Sequence, residues 1–230
     1  MSRSERLAAI RDRISQAAGR AGRSSDEVTL IAVSKTFPEE AILEVASLGQ
    51  VAFGENKVQE LIRKTDALGD GRPDEPLEWH HIGHLQRNKV KDIIGRVVLF
   101  HALDSVRLGQ ALQKRLEAQN ATLDCLVQVN VSGEESKFGI APDALDAVMD
   151  ELSGFDRIGL RGFMTLASPA PTAEEVRPEL TLLRTLAQSV SDRIVGGSPW
   201  LSMGMSGDFE VAIEEGATHV RIGSAIFGAR

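Results

Sequence analysis

Short apolar, β-branched runs alternate with longer amphipathic stretches along the chain. Residues 3–21 open the pattern, with Leu7, Ile10 and Ile14 at helical spacing on an otherwise charged segment. Residues 29–34 (TLIAVS) follow as an unbroken apolar run, the form expected of a parallel strand buried on both faces. Pro38 suits the first turn of a helix over 38–48, and Gly49 closes it. The same cycle predicts further strands over 51–54, 79–83, 97–102, 123–131, 158–165, 201–205 and 219–223. It predicts helices over 55–67, 85–94, 105–119, 142–152, 173–194 and 207–215.

Strands and helices in alternation imply a parallel sheet. Eight strands in 230 residues suit a closed barrel better than an open sheet. The reading is an α/β fold, a single (β/α)8 TIM-type barrel over residues 1–230. The helix at 3–21 is an extra N-terminal element that caps or flanks it. The stretches 68–78 and 168–178, rich in Gly, Pro and acids, are expected to be exposed connections without chemistry.

Composition narrows the function classes. A net charge of -7 argues against a nucleic-acid partner gripped through a basic surface, while leaving room for a small anion site. No apolar stretch approaches bilayer length, so no membrane partner is expected. The one cysteine, Cys125, lies in an apolar run and reads as a buried thiol. A chain with no disulfide suits a cytoplasmic location.

In a barrel, chemistry gathers where strands end. Lys35 ends the first strand. Against apolar walls its amine would lose hydration and become able to attack an aldehyde, though a lysine at a strand end can equally reach solvent. The turn Gly204-Met205-Ser206-Gly207-Asp208 follows strand seven, and Arg221-Ile222-Gly223-Ser224-Ala225 follows strand eight. Small residues and hydroxyls at that pair of strand ends favour a phosphate site. His80, His81 and His84 look like a metal cluster, but neighbouring strand residues point to opposite faces, so no metal is expected. One of His80 and His81 should face the barrel interior and the other the helix layer, and His101 and His219 read as structural. The basic stretch 85–91 is a solvated face or a grip for an anionic partner. Loop 132–139 reads as a surface turn, yet its Lys137 is a second lysine at the functional rim.

Several longer motifs stand in order: Ala32-Val33-Ser34-Lys35-Thr36, Phe53-Gly54-Glu55-Asn56, Trp79-His80-His81-Ile82-Gly83-His84-Leu85-Gln86, Gly204-Met205-Ser206, and Val220 through Gly228. Together they resemble the pyridoxal phosphate homeostasis protein family from about Leu7 to Arg230. The resemblance implies a barrel similar to the N-terminal domain of alanine racemases, with pyridoxal 5′-phosphate (PLP) at its C-terminal mouth. It places the Schiff-base lysine at Lys35 and the phosphate contacts at Ser206, Gly223 and Ser224. Arg221 would face the pyridine nitrogen, and Asn56 would lie near the ring. His81 stands where an aromatic residue is frequent, and Gly207 where a polar one often follows the serine.

Three activities compete. The first is a PLP carrier that holds the cofactor as a Schiff base and passes it to apo PLP-dependent enzymes, with Lys137 assisting release. The second is a PLP-dependent amino-acid racemase of low activity. The third is a cofactor-free aldolase acting through Lys35. Arginine only donates and stays charged, so Arg221 would keep the ring nitrogen unprotonated and weaken PLP as an electron sink. The chain contains no tyrosine to serve as the racemase acid/base, and it ends soon after the eighth strand. Both features favour the carrier, expected as a cytoplasmic monomer.

Overall fold

A computed structural model describes residues 1–69, 71–72, 75–134 and 136–228. Eight parallel strands close into a barrel: β1 (Thr29–Val33), β2 (Ala52–Glu55), β3 (Glu78–His81), β4 (Leu99–Leu103), β5 (Leu123–Gln128), β6 (Ile158–Met164), β7 (Trp200–Ser202) and β8 (His219–Ile222). Their order around the barrel follows the sequence, and β1 closes the ring by pairing with β8, Thr29 opposite His219 and Ala32 opposite Ile222. The strands read as continuous apolar runs because both faces are buried, one by the interior and one by the helices.

The outer layer consists of α1 (Arg3–Arg20), α2 (Glu39–Ala46), α3 (Val58–Leu68), α4 (Val106–Ala118), α5 (Leu145–Leu152), α6 (Arg177–Ser189), α7 (Phe209–Glu214) and α8 (Ser224–Phe227). Ser2 and Glu5 form a capping box that starts α1. Its stripe of Leu7, Ile10, Ile14, Ala17 and Ala18 is buried. Burial of each large aliphatic side chain in that stripe contributes about 1.5–3 kcal/mol. The helix packs against α2, α7 and α8, and Arg13 and Arg20 bind Glu210 and Glu214 of α7 at 2.8 Å each. The extra helix therefore flanks the barrel, covering the seam between β8 and β1 where α8 is only one turn long.

Several boundaries differ from the sequence reading. The stretch 85–94 is not α-helical but a 3-10 helix, Arg87–Asp92, in which only Val90 is buried. One buried residue gives no stripe to anchor an α-helix on the barrel. The stretch 173–194 divides into 3-10 turns on either side of α6. The fifth strand stops at Gln128, with Val129 making an isolated bridge to Ile140, and the seventh stops at Ser202. Within 68–78, Gly71–Arg72 pairs antiparallel with Glu75–Pro76 outside the barrel, while residues 70, 73 and 74 lie outside the described residues. The connection 168–178 is not wholly exposed, because Val176 packs into the core. No described helix is long and apolar enough to cross a membrane.

Candidate functional site at the C-terminal mouth

Strand direction brings the ends of β1, β2, β7 and β8 to one mouth of the barrel. Lys35 follows β1 and is half-buried, and Asn56 follows β2. The side-chain Oδ1 of Asn56 is buried and has no hydrogen-bond partner within the protein. A buried amide oxygen without a partner costs about 1–3 kcal/mol, so it marks a place where another group is wanted.

Next to β1 around the ring, the turn after β8 meets the loop after β7. Ser224 Oγ donates to Ser206 Oγ at 3.4 Å. Gly204 adopts φ +92°, and a Cβ there would lie 2.7 Å from Ala212 Cβ and 2.9 Å from Phe209 Cα. Only glycine lets the loop fold down onto α7. The loop is then held by Asp208, whose carboxylate accepts from the Met205 N–H at 2.5 Å. Gly223 packs against β1, and an added Cβ would approach Val33 O to 3.1 Å. The result is a pair of hydroxyls over small-residue turns at the start of a short helix, a surface suited to an oxyanion.

Arg221 is buried in the barrel. Its Nη1 donates to Ser202 Oγ at 2.6 Å and its Nη2 to the Thr165 carbonyl at 2.7 Å. Burial lowers its pKa to about 10, so it stays cationic at neutral pH. Behind it lies a polar chain that sequence reasoning missed. Ser202 Oγ is 2.9 Å from His101 Nδ1, and His101 Nε2 is 2.9 Å from His80 Nδ1. The strands β4 and β7 are not neighbours, so the His101–Ser202 contact crosses the interior. Arg221 can only donate, so Ser202 Oγ accepts from it, and the two histidines continue the chain with donor and acceptor roles set by their tautomers. His80 Nε2 ends the chain, buried and without a partner.

The two adjacent histidines face opposite ways. His80 reaches His101 and His219 inside the barrel, whereas His81 stacks on Phe100, 5.8 Å between ring centroids. Among the described residues no group of three or more His, Cys, Asp or Glu is arranged to hold a metal ion. Cys125 is fully buried, which pushes its thiol pKa far above the usual range. Lys137 is tied to Glu134 at 2.7 Å and donates to the Leu166 carbonyl at 3.4 Å. The basic stretch after β3 contributes Arg87 to a groove of about 880 Å3 shared with Arg107 and Lys114. A cavity of about 580 Å3 opens at the other end of the barrel, lined by strand starts such as Thr29, Glu78 and His219. Barrels of this class work at the C-terminal face, so the candidate site is the mouth that carries Lys35.

A family model described as alanine racemase, N-terminal domain, matches residues 6–230. The pyridoxal phosphate homeostasis protein of Aquifex aeolicus (strain VF5) is 44% identical over 230 residues, covering 100% of this chain and 99% of its own. The chain belongs to the pyridoxal phosphate homeostasis protein family. PipY of Synechococcus elongatus PCC7942, solved with PLP bound, is 33% identical with a TM-score of 0.85, covering 99% of this chain and all of its own. An alanine racemase from Corynebacterium glutamicum shares the barrel alone, at 17% identity and TM-score 0.72 over 61% of its length. The eight-stranded barrel expected from the alternating pattern is thus both the observed fold and the family's fold.

Proposed function

We propose that this chain binds PLP at the C-terminal mouth, with Lys35 as the covalent anchor, and serves PLP homeostasis by holding and releasing the cofactor. The observation that carries the reading is the assembly of Lys35 and Asn56 at the ends of β1 and β2 beside the Ser206–Ser224 pair at the adjoining ends of β7 and β8. An aldehyde-reactive amine and an oxyanion cradle are the two grips that a phosphorylated aldehyde needs. PLP, when bound, supplies a reactive aldehyde and an electron-withdrawing ring.

Ser206, Ser224 and the backbone at Gly223 take the phosphate. Asn56, after β2, lies near the ring. Arg221, pinned by Ser202 and Thr165, faces the ring nitrogen as a donor and keeps it without a proton. This argues for a carrier and against catalysis by the chain itself. A weak amino-acid racemase remains the second reading, and the lack of any tyrosine counts against it. The protein acts as one PLP-binding domain over residues 1–230, as a cytoplasmic monomer, passing PLP to apo-enzymes. Lys137 takes part in release only if it leaves Glu134 first.

Borohydride reduction of the PLP-loaded protein, followed by peptide mass mapping, tests the reading. The cofactor mass is expected on Lys35 and absent from Lys35→Ala. An adduct on another lysine, or a protein that takes up no PLP, overturns it. Exchange of the alanine Cα proton for solvent deuterium at a useful rate would instead favour the racemase.

A further inference from the structure

Behind Lys35, between the barrel and α3, lies a cluster of charges that the site as described does not use. Lys64 of α3 is fully buried, and so is Glu55 of β2. Lys64 Nζ lies 2.6 Å from Glu55 Oε1, which also accepts from Ser34 Oγ at 2.6 Å. The same ammonium donates to the Ser34 carbonyl at 2.8 Å. Glu60, one turn before Lys64 and 3.5 Å from it, accepts from the Thr36 N–H at 2.7 Å.

These contacts have a specific geometry. The Ser34 carbonyl belongs to the peptide plane entering Lys35, and the Thr36 N–H belongs to the plane leaving it. Lys64 pins the first plane and Glu60 the second. With both planes held, the φ and ψ of Lys35 are fixed, and so is the direction of its Cα–Cβ bond. The turn needs holding, because Thr36 sits at φ +69°, a left-handed conformation costly for a β-branched residue. Burial alone would raise the Glu60 carboxyl. The Thr36 amide and the Lys64 ammonium more than offset this and leave it below the usual carboxylate range, so it accepts as an anion.

We propose that Lys64, Glu60 and Glu55 are positioning residues for Lys35, clamping the two peptide groups that flank it so that its amine is presented to the aldehyde of PLP. The inference rests on the PLP-binding reading and deepens it. Attachment joins the Lys35 nitrogen to the aldehyde carbon with loss of one water. The clamp acts on that covalent grip through α3 and β2 and makes no contact with the Ser206–Ser224 pair. A buried ion pair is by itself weak evidence for a stability role, which makes a positioning role testable apart from folding.

Glu60 is the member to change, because its side chain reaches solvent and its loss leaves the Lys64–Glu55 pair in place. Glu60→Ala frees the Thr36 N–H, whereas Glu60→Gln keeps an acceptor oxygen for it. Affinity is measured for PLP and for pyridoxine 5′-phosphate, which has the phosphate and ring but no aldehyde. Borohydride-trapped Lys35 adduct and the urea unfolding midpoint are followed alongside. Glu60→Ala is expected to weaken PLP and slow adduct formation by about tenfold, the loss of one hydrogen bond to a charged group. Pyridoxine 5′-phosphate binding should be unchanged, and Glu60→Gln should restore PLP binding to within about twofold. Wild-type PLP affinity in Glu60→Ala overturns the proposal, as does an equal loss for both ligands or a failure of Gln to restore. A wild-type protein that forms no Lys35 adduct is a different result: it removes the PLP reading itself and the clamp with it.

Discussion

Acid should unfold this protein through its histidines before its carboxylates are reached. Burial holds His80 down to about 3 and His81 and His219 to about 4, against an ordinary value of 6.5. His101 is lowered well below that value, first by burial and further by the Arg221 guanidinium. The unfolded chain takes up these protons below pH 6.5, and the folded chain does not until about pH 4. Stability is therefore fully present above pH 6.5 and is lost as pH falls through the window from 6.5 to about 4. At pH 5.5 each group favours unfolding by about 1.4 kcal/mol. His80, His81 and His219 together give about 4 kcal/mol, and His101 adds to it. That is a large share of the ~5–15 kcal/mol typical of a domain. The assay is urea unfolding followed by the fluorescence of Trp79 and Trp200 at pH 7.5, 6.5, 6.0, 5.5 and 5.0. Between pH 5 and 6 the slope should correspond to roughly three protons taken up on unfolding, or about 4 kcal/mol per pH unit. His219→Asn should lower it by about one proton. A slope below about one proton would show that these rings are solvated or already charged in the folded state, and would refute the reasoning.

Substitutions at the mouth separate its parts. Gly204→Ala forces a side chain into φ +92° and against Phe209 and Ala212, and should cost at least about 2 kcal/mol in urea unfolding and displace the Ser206 turn. Ser206→Ala and Ser224→Ala each remove one hydroxyl donor and should weaken binding of both PLP and pyridoxine 5′-phosphate by about tenfold or more, read by equilibrium titration.

The barrel was legible because eight parallel strands, buried on both faces, leave continuous apolar runs, and six of the intervening helices leave apolar stripes. The remaining one, after β3, buries Leu85, Val90 and Ile93, a spacing that does not make a continuous helical stripe, and its basic residues read as helix-forming when they line a 3-10 turn. The meeting of Ser206 and Ser224 was legible from local turn chemistry, since both lie in glycine-containing turns after consecutive strands. Lys35 was visible only as a lysine ending a strand until longer motifs were read together. His101–Ser202, 101 positions apart, and Lys64–Glu55 were not legible at all. Nothing local says that Lys64, a polar residue on an amphipathic helix, turns inward, because its burial is set by the acid that β2 places opposite it.

Where the buried polar groups sit bears on what they are for. Barrel interiors of this class are filled by branched aliphatic residues, yet here His80, His101, Ser202 and Arg221 cross the interior in one hydrogen-bonded chain. A second buried set, Ser34, Glu55 and Lys64, lies on the outer side of the barrel wall. Each set is costly. His80 Nε2 and Glu55 Oε2 are buried without partners, and apolar side chains of similar volume would often serve folding as well or better. Both sets end at the same mouth, one at Arg221 and the other at the backbone on either side of Lys35. If stability alone were selected, there is no reason for both unsatisfied networks to terminate within the ring of strand ends that carries the Ser206–Ser224 pair. Their common endpoint is explained if one fixes a permanently charged donor and the other fixes a reactive amine.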